Sequence, residues 1–240
     1  MKIAVNKAHY PVTVLGPGQR IGIWLQGCSI RCKGCVSQDT WEHDPGKLMS
    51  VAALLAWCSR TATADQPEGR RTPRSGGPER SEGWGKAPHF SGVTISGGEP
   101  FDQPQALVAL LKGLHDWRRS SGIDFDILCY SGYPLTTLKK KHAKLLALLD
   151  AVIPEPYVDG LPLAKVWRGS ANQPLVPLSP RGEARFSPHL ETSAATGKRM
   201  QVAAEGKRLW FIGIPDRGDM AELEALCRQR GLTLDAVSWR

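Results

Sequence analysis

The chain has 240 residues, of which 41% are hydrophobic and 22% charged, an ordinary globular composition that excludes a disordered or fibrous chain as a whole. No run approaches the roughly 20 apolar residues of a membrane-spanning helix, and residues 1–20 lack the apolar core of a secretion signal, so the cytoplasm is the expected location. The net charge of +8 permits an acidic partner or nucleic acid without establishing either, and six cysteines are too sparse for a disulfide scaffold.

Taken in chain order, residues 21–25 (IGIWL) form a short apolar run ending near Gly27 and are predicted as a strand. Residues 48–57 suit a helix. Residues 93–96 make a second strand, closed by Gly97 and Gly98. Residues 105–119 have helical spacing, with Asp102 as the expected N-cap. Residues 124–130 (DFDILCY) read as a third strand, 138–149 as a helix and 151–153 as a fourth strand. This alternation predicts an α/β fold on a parallel sheet, open or partly closed as a barrel. Ligands of such sheets sit at the carboxyl ends of the strands.

Two stretches break the pattern. Residues 60–88 are rich in Gly, Pro, Ser, Arg and Glu and poor in large apolar side chains, so a flexible insertion is expected there. Residues 173–198 are also expected to be irregular. A hairpin is then predicted from 199–204 and 208–214 around Glu205 and Gly206. A helix over 219–230 follows, ending at Gly231.

The chemistry concentrates in QGCSIRCKGC, where Cys28, Cys32 and Cys35 are spaced C-x3-C-x2-C directly after the first strand. Thiolates so close can share one inorganic centre, and they suit zinc or iron–sulfur. A structural zinc wants four ligands; the nearest added candidate is His43, and there is no second CxxC pair. Three ligands alone would leave one iron of a 4Fe–4S cluster open to a small chelating molecule. Free thiols are the remaining reading. Cys58, Cys129 and Cys227 stand singly in apolar patterns and are expected to be small core residues.

The cysteine motif, together with Ser96-Gly97-Gly98-Glu99-Pro100 after the second strand, resembles the radical S-adenosylmethionine (SAM) superfamily. Further segments narrow the likeness: residues 16–20 (GPGQR), Thr40-Trp41, 130–133 (YSGY), Asp159-Gly160 and 167–173 (WRGSANQ). In this order they resemble the family of activating proteins of anaerobic ribonucleoside-triphosphate reductase, short glycyl-radical activating enzymes. That resemblance implies a partial (β/α) barrel of the radical SAM type over 1–173, interrupted by the flexible insertion; the family's short members end soon after WRGSANQ, so residues 174–240 are a C-terminal extension beyond it, carrying the hairpin and helix read above. The extension is either a docking module or a cover for the open edge of the barrel.

The resemblance also implies roles. Cys28, Cys32 and Cys35 hold a 4Fe–4S cluster whose fourth iron is chelated by the amino and carboxylate groups of SAM. One electron then cleaves SAM to give a 5′-deoxyadenosyl radical. Gly97, Gly98 and Glu99 serve the methionine end, with Glu99 accepting hydrogen bonds from its amino group. Ser131 and Gly132 are further SAM contacts. Gly34 holds the position where many superfamily members place an aromatic residue against adenine, and the reductase-activating branch tends to glycine there. Tyr130 and Tyr133 are open between ligand contact and packing, and Arg168 and Asn172 between site and surface. The implied partner is a glycyl-radical enzyme, anaerobic ribonucleotide reductase first; the electron would come from a flavodoxin or ferredoxin meeting the basic surface. A small-molecule enzyme similar to the short deazaguanine synthases, or a peptide-modifying one, is the alternative. No membrane contact is expected, and the scattered basic residues speak against nucleic acid.

Overall fold

The computed structural model describes residues 1–64, 90–196, 198–206 and 208–239. Its main sheet has seven strands: β1 (Lys2–Val12), β2 (Gln19–Leu25), β3 (Leu48–Ser50), β4 (Phe90–Gly97), β5 (Asp126–Tyr130), β6 (Ala151–Ile153) and β7 (Val176–Pro177), in the spatial order β3-β1-β2-β4-β5-β6-β7. The pairs β2–β4, β4–β5 and β5–β6 are parallel, whereas β1, β3 and β7 are antiparallel additions at the two edges. The sheet is therefore mixed rather than purely parallel. Helices α1 (Val51–Ala64), α2 (Pro104–Ser121), α3 (Leu135–Lys141) and α4 (Ala143–Leu146) follow, then α5 (Pro180–Phe186), a separate hairpin β8 (Met200–Glu205) and β9 (Arg208–Gly213), and α6 (Asp219–Gln229).

The parallel strands lie side by side in the order in which they occur in the chain. Right-handed crossovers between them then put their helices on one face. Alternation supplies the buried surface: Ile21, Ile23 and Leu25, with Val93 and Ile95 and then Ile127 and Cys129, face Leu54, Leu107, Leu110, Leu111 and Leu138 in one continuous core.

The opposite face has no layer of crossover helices and is filled in another way. Arg20 and Asp126 project from it and are fully buried. Arg20 Nη2 and Nη1 donate to Asp126 Oδ1 and Oδ2 at 2.5 and 3.2 Å; Nε donates to Thr94 Oγ1, and the remaining two donors reach Val93 O and Pro17 O. All five guanidinium N–H groups are thus used. Room for the head group comes from Gly92, where a Cβ would stand 2.4 Å from Arg20 Nη1. Above this pair the hairpin lays Trp210 and Ile212 on Val12, Val14, Leu15 and Trp24. On the far side Phe186 of α5 packs on Leu128 and Ile153. The hairpin therefore packs on the ends of β1 and β2 and the segment between them, on the face away from the helices.

Several expectations change. Residues 48–50 pair with β1 as a strand, so the helix begins at Val51 and continues through Arg60 to Ala64. The rest of the expected insertion lies outside the described residues. The helix expected over 138–149 is two short helices broken at His142, whose ring packs on Phe101 and faces Tyr133. The stretch expected to be irregular contains β7 and α5; Ser179 caps α5 by accepting Gly182 N–H at 3.0 Å. Asp102 does not cap α2, because the turn over Pro100–Asp102 directs its carboxylate toward the cysteine loop. Cys58 and Cys129 are buried as expected, burial pushing Cys58 up to about 12, but Cys227 is only half-buried on α6. No helix among the described residues is long and apolar enough to cross a membrane.

Removing one member of a buried ion pair strands the other charge, at a cost of roughly 3–5 kcal/mol, while replacing both with apolar groups is far cheaper. Asp126→Asn is expected to lower the stability measured by chemical denaturation by about that amount. The double variant Arg20→Met/Asp126→Leu should lose markedly less.

Candidate metal and cofactor site

The parallel register brings Leu25 opposite Gly97, Ile95 opposite Cys129, and Tyr130 opposite Ile153, so the strands end together and release their loops at one edge. The loop after β2 carries the cysteines. Its ends are drawn together by Gly27 N–H to Thr40 O at 2.7 Å and Cys28 N–H to Trp41 O at 3.0 Å. The turn after β4 fastens it from the side, with Gly98 N–H on Leu25 O and Glu99 N–H on Gly27 O at 2.8 and 2.9 Å. This contact explains the paired glycines. A Cβ on Gly98 would lie 2.1 Å from Gly27 O, and Gly97 has φ +100° with Leu25 N 2.4 Å from its missing Cβ. The close approach they permit is of Gly97 to the end of β2 and of Gly98 to the root of the cysteine loop.

Glu99 is 1% exposed. Its Oε1 accepts Phe101 N–H at 3.0 Å and the Ser131 hydroxyl at 2.9 Å, and its Oε2 accepts Gly132 N–H at 2.6 Å. Every donor is neutral, and burial outweighs them, pushing the carboxyl up to about 7. Ser131 and Gly132 thus reach Glu99 directly. Asp102 accepts Ser29 N–H, the Ser29 hydroxyl and the Tyr133 hydroxyl at 2.8 to 3.0 Å, tying the cysteine loop to the loop after β5. This places Tyr133 in the scaffold. Tyr130 is also structural: its hydroxyl donates to Trp167 O at 2.7 Å, and burial raises it.

Cys28, Cys32 and Cys35 are half-buried free thiols. Burial raises all three; Cys28 is raised further by Glu99 and Cys35, and Cys32 by Cys35 and Cys28. They therefore share one electrostatic environment, and holding them all as thiolates requires a bound positive charge. Main-chain donors offset part of the rise. Backbone N–H groups of Arg31 and Ile30 oppose the rise at Cys28, that of Tyr157 at Cys32, and that of Ser37, 3.4 Å from the sulfur, at Cys35. The indole of Trp41 lies against Cys35, and its N–H also opposes the rise there.

Gly34, with φ +77°, abuts the Tyr157 ring and the Asp159 carboxyl, each 3.4 Å from where its Cβ would be. Tyr157 arrives from the loop after β6 and also meets Gly169, so its ring stands between two glycines. The WRGSANQ segment holds that loop: Ser170 Oγ accepts Val158 N–H, Asn172 Nδ2 donates to Pro156 O, and Gln173 Nε2 donates to Glu155 O. Asn172 is accordingly a clamp on the site wall, while buried Arg168 donates away from it to Leu190 O.

All nine sequence-derived positions, Cys28, Cys32, Gly34, Cys35, Gly97, Gly98, Glu99, Ser131 and Gly132, line one cleft of about 970 Å³. His43 is not among its lining residues. Among the described residues no group of three His, Cys, Asp or Glu side chains is arranged to hold a single metal ion. A 4Fe–4S cluster makes a different demand, one thiolate on each of three irons. The donor set, the N–H groups at the sulfurs and the buried acid opposite fit such a cluster carrying an amino-acid chelate. Residues missed at the sequence level are Tyr157, Asp102 and Ser29, which lie far apart in the chain, and residues 232–239, which close the opposite wall.

Comparison with known proteins agrees with this chemistry. The family of 4Fe-4S single cluster domains matches residues 14–176. The anaerobic ribonucleoside-triphosphate reductase-activating proteins of Enterobacteria phage T4 and Haemophilus influenzae are 26% and 28% identical over 162 and 167 residues. These alignments span 68% and 69% of this chain and 86% and 92% of theirs. The pyruvate formate-lyase-activating enzyme of Clostridium pasteurianum is 32% identical over 133 residues, 55% of this chain and 46% of its own. A match running from before β2 through the cysteine loop to β7 covers more than half of the molecule, and the chain belongs to the 4Fe-4S single cluster domain family.

Proposed function

We propose that the chain is a radical SAM activating enzyme that installs a glycyl radical on a partner of the anaerobic ribonucleotide reductase class. The observation that carries this is the pairing, in one cleft, of three thiols with a buried carboxylate whose hydrogen bonds all come from neutral donors. Relatives named as reductase-activating proteins, aligned over most of their own length, support the partner class. The consecutive order β2-β4-β5-β6 supports a partial (β/α) barrel, with residues 1–173 as the radical SAM core and 174–240 as its extension.

When bound, the 4Fe–4S cluster and SAM supply one-electron chemistry able to remove a hydrogen atom from a C–H bond. The chain's own residues position that chemistry. Cys28, Cys32 and Cys35 hold three irons, with backbone N–H groups at their sulfurs. Glu99 accepts from the amino group of SAM; Ser131 and Gly132 keep its carboxylate aimed into the cleft. Gly97 and Gly98 fix the distance between Glu99 and the cysteine loop. Gly34 and the Tyr157 ring form a flat wall beside the cysteines. The electron would come from a flavodoxin or ferredoxin, for which the net charge of +8 suits an acidic donor.

Alanine at Cys28, Cys32 or Cys35 is expected to reduce the iron of anaerobically reconstituted protein well below about four per chain and to abolish reductive SAM cleavage. Alanine at Cys129 or Cys227 should preserve both. Full iron in any of the three loop variants would overturn the ligand assignment.

Glu99→Gln is expected to keep full iron and weaken SAM binding about tenfold to a hundredfold, the worth of one charge-assisted hydrogen bond. Equilibrium dialysis on reconstituted protein measures this. Because the Glu99 carboxyl is raised above its ordinary value, its share of the stability of the unliganded protein is present below about pH 4.5 and is lost as pH rises toward about 7. Denaturation midpoints of the wild type should fall relative to Glu99→Gln across that window.

A further inference from the structure

We propose that residues 36–39 form a main-chain docking site for an extended polypeptide, that the chain's own C-terminal tail occupies it, and that the partner's glycine-bearing segment enters only when the tail leaves. The identity of that segment rests on the activating-enzyme reading; the occupancy does not.

After α6 the chain turns at Gly231 and runs through residues 232–239 without helix or strand. Its end lies on the segment immediately following Cys35. Ser238 O accepts Gln38 N–H at 2.6 Å and Asp39 N–H at 3.3 Å; the Ser238 hydroxyl donates to Val36 O at 2.9 Å; Gln38 Nε2 donates to Trp239 O at 3.0 Å. Trp239 is pinned from behind by its Nε1 on Glu224 Oε1 and by the edge of Phe211, 6.1 Å between ring centres. Ser238 O and Trp239 O are main-chain groups that any polypeptide presents and could replace, whereas the Ser238 hydroxyl and the Trp239 indole are side-chain holds particular to this tail.

The tail also stands in the way. Thr233, Leu234, Ala236 and Val237 line the same cleft as the three cysteines and Glu99. A polypeptide that offers a backbone C–H to this cleft has to pass the wall these residues make. The tail is held by hydrogen bonds and one aromatic contact, with no covalent or metal tie, so it is displaceable. A short tether keeps it at an effective concentration on the order of millimolar, which is enough to hold off a weak competitor.

The test uses the full chain and its Ser238→Ala/Trp239→Ala variant. The probe is a fluorophore-labelled synthetic peptide of residues 232–239. The variant is expected to bind the peptide about tenfold tighter than the wild type, and hydrogen exchange at Gln38 and Asp39 should be faster in the variant. Equal affinity for both proteins, binding to neither, or equally rapid exchange at both amides in the wild type would overturn the proposal. A parallel assay of reconstituted wild type separates the two ideas. Absent SAM cleavage with peptide competition intact would sink the activating-enzyme reading and leave the occupancy standing.

Discussion

The carboxylate of Glu99, sealed from water, is the fastening on which the site depends. Through its own N–H it holds Gly27 at the root of the cysteine loop; through its side chain it holds Ser131 and Gly132 after β5 and Phe101 in the turn before α2. Three parts of the chain are thereby fixed around an acid that water does not reach. A buried carboxyl with neutral donors is unfavourable while alone, which is why its proton affinity is raised. The same desolvation makes it a strong acceptor for an incoming amino group. Stability is sacrificed at a point where a ligand restores it, a common arrangement at binding sites.

The sheet imposes a second constraint. Strands laid down consecutively in one direction bury one face under helices and leave the other bare. Here the bare face is divided along the strands. At their amino-terminal side it is closed by the Arg20–Asp126 pair, with Thr94 and the 13–18 segment around it. A guanidinium fills volume and uses every donor, and glycine at position 92 gives it room. Toward the carboxyl ends the same face opens into the cleft. The ion pair works as a floor: it keeps the strands in register beneath a cavity that must stay unfilled.

What could be read in the sequence was local. The C-x3-C-x2-C spacing and the Gly97-Gly98-Glu99 run each lie within a few residues, and their chemistry follows from residue type. The parallel strands were legible as short segments rich in Ile, Val and Leu set between helical patterns. Strands β1 and β3 were not: β1 (KIAVNKAHYPV) has neither a sustained apolar run nor a regular alternation, and residues 48–50 have no strand character apart from the partner they pair with. The break at His142 is likewise tertiary, since nothing nearby in the chain interrupts the helical pattern and the ring's contacts are with Phe101 and Tyr133. Asp102 looked like a cap because aspartate before a helix usually is one. Its carboxylate instead accepts three hydrogen bonds from Ser29 of the cysteine loop and Tyr133 after β5, more than a cap would give it.

Gly34 and Tyr157 show how a local gap is answered from a distance. A glycine before the third cysteine leaves the loop without a side chain to form a wall. The Tyr157 ring, more than a hundred residues later in the chain, supplies that wall, and Gly169 leaves room for the ring's other edge. The ring stays in place because Ser170, Asn172 and Gln173 grip the backbone on either side of it. The segment after β6 is thus part of the cluster site by mechanics rather than by ligation. A disturbance at Asn172, which holds the Pro156–Tyr157 peptide, would reach the cysteine loop both through the Tyr157 ring at Gly34 and through the Tyr157 N–H at Cys32.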